Sequence, residues 1–386
     1  MRWIKLFESF KDLENIVLVG GGISSLYAAY LIKKRFPNVR YTIIEKGSEC
    51  GGRVSMSKIG DVYIPTGAQF TRVGKDKLLQ SLLKDLDIKL EKYTLDIDYA
   101  FKVSDIDSMV RKLKKGLDGF DRSKVSFKEF AGKVLGDDYA RFVDMMGYTD
   151  FEDADIEDTI YSYGLDDNIP GYKCADVPWN LVIDRLVEEI GKENIVFNTE
   201  VKTIERKRGF LINSKFKCDG LIIGVTINQL RKLLDDPIYN QIESQNFLKV
   251  FARSSDSIVE RYTVVDSPSR KVIPVSDDVF TIAFADNKDA RKLKDKDKDY
   301  FEDMLSDQFD KKIKLSNLKK FFWDEGTHYF KPLLKKWKSR SEFIKKAQHP
   351  HDNIWVIGEV VAEKQGWVEG ALSSVEKISL FRKKKK

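Results

Sequence analysis

The tripeptide Gly20-Gly21-Gly22 constrains this chain most, because of what stands on either side of it. Before it, Ile16-Val17-Leu18-Val19 is a short, wholly apolar run, the pattern of a strand covered on both faces. After it, Ile23, Leu26, Tyr27, Tyr30 and Leu31 recur at helical spacing until Pro37-Asn38 stops the helix near Phe36. A second apolar strand, Tyr41-Thr42-Ile43-Ile44, follows and ends on Glu45. Strand, glycine turn, helix, strand is a βαβ unit, which commits the chain to a parallel sheet covered by helices. Gly20 permits the tight turn, and Gly22 lets the backbone approach a pyrophosphate whose charge the helix N-terminus stabilises. Glu45 stands where an acid receives ribose hydroxyls. Ser25 replaces the third glycine of the dinucleotide pattern, so a small shift between helix and strand is expected there.

The 386 residues suffice for two domains, and 42% hydrophobic with 33% charged residues describes an ordinary soluble globular chain. Of the formal charge of +6, Arg382–Lys386 supplies five, so a nucleic-acid-binding surface is not expected. Cys50, Cys174 and Cys218 are scattered and odd in number, which argues against a disulfide framework. No apolar run reaches the roughly 20 residues of a transmembrane segment. Met1–Glu14 carries Trp3, Leu6, Phe7, Phe10 and Leu13 at helical spacing and reads as a docked leading helix, not a signal peptide. A reducing, cytoplasmic setting is the expectation. Asp295, Asp297 and Asp299 imitate the start of a calcium loop, but Tyr300 and Ser306 break the pattern, and no metal site is expected.

Helical patterns run over Asp76–Leu86, Asp105–Leu117, Ser126–Met146 and Asn180–Gly191. Strand patterns occupy Asn194–Val201, Lys202–Lys207, Gly209–Asn213 and Leu221–Val225, and Asn246–Ala285 is β-rich. Asn287–Tyr300 is a charged stretch, read as a solvated loop or helix face. The strand Asn353–Ile357, a glycine-rich turn and the helix Val368–Phe381 close the chain.

Six residues beyond Glu45 comes Gly51-Gly52-Arg53, and here the sequence resembles the flavin-containing amine oxidase superfamily, which includes monoamine, polyamine and protoporphyrinogen oxidases. Thr66-Gly67-Ala68-Gln69-Phe70 is similar to the family segment passing along the flavin ring, with Thr66 where Asp is usual. Ile357-Gly358-Glu359 followed by Gly366-Trp367-Val368-Glu369-Gly370-Ala371 resembles its closing motif, and Val201 its adenine contact. The resemblance implies noncovalent FAD. It would be held by Gly20, Gly22, Ser24, Ser25, Glu45, Lys46, Gly52, Arg53, Gly67, Ala68, Gln69, Phe70, Val201, Gly358, Glu359, Trp367, Val368 and Ala371. The implied fold class is α/β: a Rossmann-type FAD-binding domain, its parallel sheet interrupted by a crossover β-segment, with an inserted α+β substrate domain. The FAD-binding domain is expected at 1–75, 172–236 and 346–386, and the substrate domain at 76–171 and 237–345.

Function has to be argued from the substrate side, because one fold hosts many reactions. Phe247-Leu248-Lys249-Val250-Phe251 resembles the strand on which amine oxidases carry a lysine that holds a water near flavin N5. Lys249 also reads as an ordinary surface lysine, and both readings stay open. Trp367 stands where monoamine oxidases place one wall of an amine cage, or else it packs the last helix. His328 and Tyr329, in Trp323–Pro332, are candidates for the other wall. The resemblance then implies that a small amine gives a hydride to the flavin, water hydrolyses the imine, and oxygen reoxidises the flavin with release of peroxide. Three alternatives stand beside it: a dehydrogenase or desaturase with another acceptor, a flavin-dependent isomerase, and a flavin-binding protein without turnover. The oligomeric state is not legible.

Overall fold

The computed structural model describes residues 13–160 and 171–381. The expected leading helix, apart from Leu13 and Glu14, and the basic tail lie outside those residues. The first apolar run forms the strand Asn15–Val19, in the middle of a five-stranded sheet. Its order is Ile354–Val356, Gly220–Ile223, Asn15–Val19, Arg40–Ile44, Ile195–Val196, with every neighbour parallel. Alternation along the central strand explains why all of it is apolar. Ile16 and Leu18 enter one core with the helices Ile23–Arg35, Trp179–Ile190 and Val368–Lys377. Val17 and Val19 enter a second core with Ile227–Leu234 and Arg340–Gln348 on the other face.

Between Ile195–Val196 and Gly220–Ile223 the chain makes the antiparallel crossover Ile204–Lys207, Gly209–Ile212, Phe216–Cys218. The fold is therefore α/β with a crossover β-segment, as the sequence implied. Because all five strands run the same way, Val19, Ile44, Ile223 and Val356 end at one edge. Gly20, Glu45, Gly224 and Gly358 sit just beyond it, where open parallel sheets bind ligands.

A six-stranded sheet adjoins that edge, in the order Leu315–Phe330, Ile242–Ser254, Val279–Asp286, Lys271–Pro274, Tyr262–Val264, Ile97–Tyr99. Its pairings are antiparallel except that of Ile97–Tyr99 with Tyr262–Val264. Beside it a helical cluster closes over Phe127, Phe130, Phe142 and Phe151. The pattern over Ser126–Met146 predicts one helix, and the structure has two, Phe127–Leu135 and Asp138–Met146. The break falls at Gly136, whose φ of +58° lies outside the helical region. The charged stretch after Asp286 is helical, in Asn287–Leu293 and the start of Lys298–Phe309. Among the described residues, no helix is long and apolar enough to cross a membrane.

Candidate functional site

Three turns converge at the carboxyl edge of the parallel sheet. At the first, Gly20 has φ +93°, and a Cβ there would lie 2.7 Å from the Gly224 carbonyl oxygen, so a side chain is excluded twice over. Gly22 caps the helix Ile23–Arg35, which has neither a side-chain cap nor an acid in its first turn. A Cβ on Gly22 would meet nothing within 4 Å, so the helix start faces open space. Glu45 buttresses this turn: one carboxylate oxygen accepts the Gly21 N–H and the other the Gly47 N–H, both at 2.6 Å. The second turn lies alongside, with the Gly51 N–H donating to the Gly21 carbonyl at 2.9 Å. A phosphate-sized anion fits this arrangement, since backbone N–H groups and a helix N-terminus are the usual donors to one.

The third turn follows Ile354–Val356. Glu359 is buried there, its Oε1 accepting the His328 N–H at 2.9 Å and the Gly366 N–H at 2.8 Å. Its Oε2 accepts from Arg53 Nη1 at 2.9 Å and from His328 Nδ1. His328 Nε2 accepts the Ile227 N–H at 3.1 Å, which leaves the proton on Nδ1. Burial alone would raise the Glu359 pKa, but His328 and Arg53 hold the carboxyl well below the usual carboxylate range. Arg53 Nη1 is thus tied to Glu359 and to the Gly326 carbonyl, bracing the cavity wall.

One cavity of about 620 Å³ runs from these turns toward the six-stranded sheet. The structure brings to it Gly20, Gly22, Ser24, Glu45, Lys46, Gly52, Arg53, Gly67, Ala68, Gln69, Phe70, Val201, Gly358, Glu359, Trp367, Val368, Ala371 and Lys249. Three sequence candidates, Ser25, His328 and Tyr329, do not line it. Ser25 is buried beneath the turn, facing the neighbouring strand, where a Cβ added to Gly224 would collide with its Oγ. The extra hydroxymethyl is accommodated by a missing side chain opposite. Tyr329 pairs with Glu243 across the sheet and does not line the cavity, and burial pushes its hydroxyl up to about 12. Its neighbour His328 is engaged with Glu359 instead.

At the far end, Lys249 is 1% exposed, so it is not a surface lysine. Its Nζ lies 3.5 Å from the Pro65 carbonyl oxygen and 4.8 Å from the Phe284 ring centre. Burial lowers its pKa to about 7, against the upward pull of Asp176. Trp367 lines the cavity, but the Arg72 guanidinium stands 3.7 Å from its ring centre, held there by Asp76 at 2.7 Å. Only the other face is left for a ligand. Trp323 also lines the cavity and donates its indole N–H to the Thr66 carbonyl at 2.9 Å.

Sequence reasoning missed Tyr148, Asp150, Tyr262 and Phe284, which line the cavity from three separate segments, and the buried Lys271 behind them. No local motif marks them. The available signal was a lysine at the head of the short strand pattern Lys271-Val272-Ile273.

The profile of the NAD(P)-binding Rossmann-like domain matches residues 18–86. Over 77 residues the chain is 35% identical to a protein described as flavin-containing monoamine oxidase A of Dictyostelium discoideum, covering 20% of this chain and 16% of that protein. Over 76 residues it is 26% identical to coproporphyrinogen III oxidase of Staphylococcus aureus, covering 20% and 16% respectively. These matches span only about a sixth of either relative. Similarity of fold extends much further. Putrescine oxidase, in a structure with putrescine bound, superimposes with a TM-score of 0.74 at 16% identity, over 94% of this chain and 97% of that one. A protein described as a protoporphyrinogen oxidase from Exiguobacterium gives 0.69 at 15% identity, with the same coverage. With its Rossmann turn, its crossover sheet and the second sheet laid against the same edge, the chain has the fold of these two oxidases, and residues 18–86 carry a Rossmann-like dinucleotide-binding segment.

Proposed function

We propose that the chain is an FAD-dependent oxidoreductase of the amine-oxidase type, acting on a small amine with oxygen as acceptor. The observation carrying this reading is the continuity of one cavity from the glycine turns to Lys249 and the aromatic residues around it. FAD held there noncovalently would supply the two-electron acceptor for a hydride from the substrate. The residues fit such a group: open space at Gly22, an uncapped helix start, and a second helix beginning at Val368 beside the far end of the cavity. Glu45 and Val201 would serve the adenosine half, and Gly67–Phe70 would lie along the ring.

The remaining roles belong to this chain's own side chains. Lys249, uncharged above about pH 7, would hold a water or accept a proton without repelling an amine. Phe70, Trp323, Trp367 and Phe284 keep bulk water out and offer π faces to the substrate. Arg72 fixes Trp367 in place through its stacking and its pair with Asp76. We assign 1–75, 172–236 and 346–386 to the cofactor domain and 76–171 and 237–345 to the substrate domain. The two central sheets, drawn almost wholly from one set of segments or the other, support this division. Three thiols without a disulfide support a reducing, cytoplasmic setting.

The relatives described as coproporphyrinogen and protoporphyrinogen oxidases favour a second reading, dehydrogenation of a C–C or C–N bond with another acceptor. The test is anaerobic titration of the purified yellow protein with a panel of mono- and diamines. Bleaching at 450 nm, reversed by air with peroxide release, is expected. Indifference to every amine overturns the amine reading, and slow reoxidation by air after chemical reduction favours the second.

A further inference from the structure

Lys271 opens the strand Lys271–Pro274 and is wholly buried, yet its Nζ has no hydrogen-bond partner among the described residues. It lies 2.8 Å from the Tyr148 ring centre, 5.1 Å from that of Phe284 and 5.5 Å from that of Tyr262. All three rings line the cavity, and so does Asp150, whose charge acts on the Lys271 amine. Asp286, the second acid nearby, is already committed to the backbone N–H groups of Thr149 and Asp150 and to the Thr149 hydroxyl. Arg270, just before the strand, turns to Asp144 and Asp289. Gly147 makes room for the lysine, since a Cβ there would come within 2.7 Å of Lys271 Cε. Burial pushes the Lys271 pKa well down, opposed by Asp150 and Asp286 and reinforced by Lys249.

Three aromatic faces and a carboxylate are the parts of an ammonium site, and here the chain's own amine fills it. We propose that the Tyr148–Tyr262–Phe284 box with Asp150 is an alkylammonium subsite of the cavity, occupied from within by Lys271. The residue thereby sets substrate choice: with Lys271 in place the cavity takes molecules whose far end is uncharged, and without it a second ammonium is admitted. The subsite itself does not depend on redox turnover. Its effect on substrate choice rests on the amine-oxidase reading.

The test is calorimetric titration of the full-length, flavin-loaded protein and its Lys271→Ala variant with butylammonium, and with butan-1-ol as the uncharged control. The variant is expected to bind one more equivalent of butylammonium than the unmodified protein, about tenfold tighter than butan-1-ol. The same added equivalent should perturb the tyrosine near-UV spectrum. Lys271→Met, which refills the box without a charge, should not gain it. Equal stoichiometry in the two proteins overturns the proposal, and so does equal affinity for the alcohol. If Lys271→Ala is recovered unfolded, refolding with butylammonium but not butan-1-ol is the expected result, and no rescue by butylammonium overturns it. If the unmodified protein binds no butylammonium while the variant binds one equivalent, the subsite stands and the amine reading falls.

Discussion

Burying Lys249 against Phe284, with only a long contact to the Pro65 carbonyl among the described residues, sets its charge as well as its place. Its folded pKa of about 7 lies below the ordinary 10.5. Between those values the unfolded chain binds a proton that the folded chain does not, so this residue's contribution makes stability rise with pH there. Below about pH 7 both states are protonated and the full burial cost stands. Lys249→Met should therefore raise the melting temperature more at pH 6 than at pH 9.5, as calorimetry at the two pH values would show. An equal gain at both would mean that Lys249 stays charged when folded. On the oxidase reading, the same variant should lose a limb near pH 7 from the kcat/KM profile. Glu359 is the opposite kind of buried group, because Arg53, His328 and two backbone amides all depend on it. Glu359→Ala should cost about 3–5 kcal/mol, the usual result of removing one member of a buried pair, measurable by urea denaturation.

The contact between the helix Ile23–Arg35 and the sheet shows how one element adjusts to another. Ser25 stands where a glycine would let helix and strand touch, and the space is returned at Gly224 on the neighbouring strand's end. Gly224→Ala should cost about 1–3 kcal/mol through overpacking, and Ser25→Gly in the same chain should recover most of it. Additive losses in that double variant, seen in thermal melts, would show that the two positions do not share one space. The edge strand Leu315–Phe330 was the least legible element. Lys319, Lys320, Asp324 and Glu325 interrupt any apolar alternation, as suits an edge strand, whose charges discourage further pairing. The helix break at Gly136 was hidden for a different reason. Apolar spacing on either side continues through it, so only the backbone angle reveals the stop.

Across the whole molecule, the cavity joins segments hundreds of residues apart, from Gly20 to Ala371. A ligand gripped by all of them should stabilise the fold as a unit. On the proposed reading FAD at 100 times its Kd adds about 2.7 kcal/mol, while NAD+ at equal concentration adds little. Differential scanning with each nucleotide checks this, and a shift as large for NAD+ as for FAD would argue for a diffusible cofactor.

The sequence by itself determined the parallel sheet and its dinucleotide turn, because strand, glycine and helix signals there are local and follow directly on one another. The closing motif at Gly358–Ala371 was readable for the same reason, through its resemblance to a known family. Only the tertiary structure decided which lysine is buried, that Arg72 covers one face of Trp367, and that Ser25 and Tyr329 stand outside the cavity. Such outcomes depend on which distant segments pack together. Burial, charge state and free ring faces belong to the packed assembly, and no stretch of neighbouring residues encodes them.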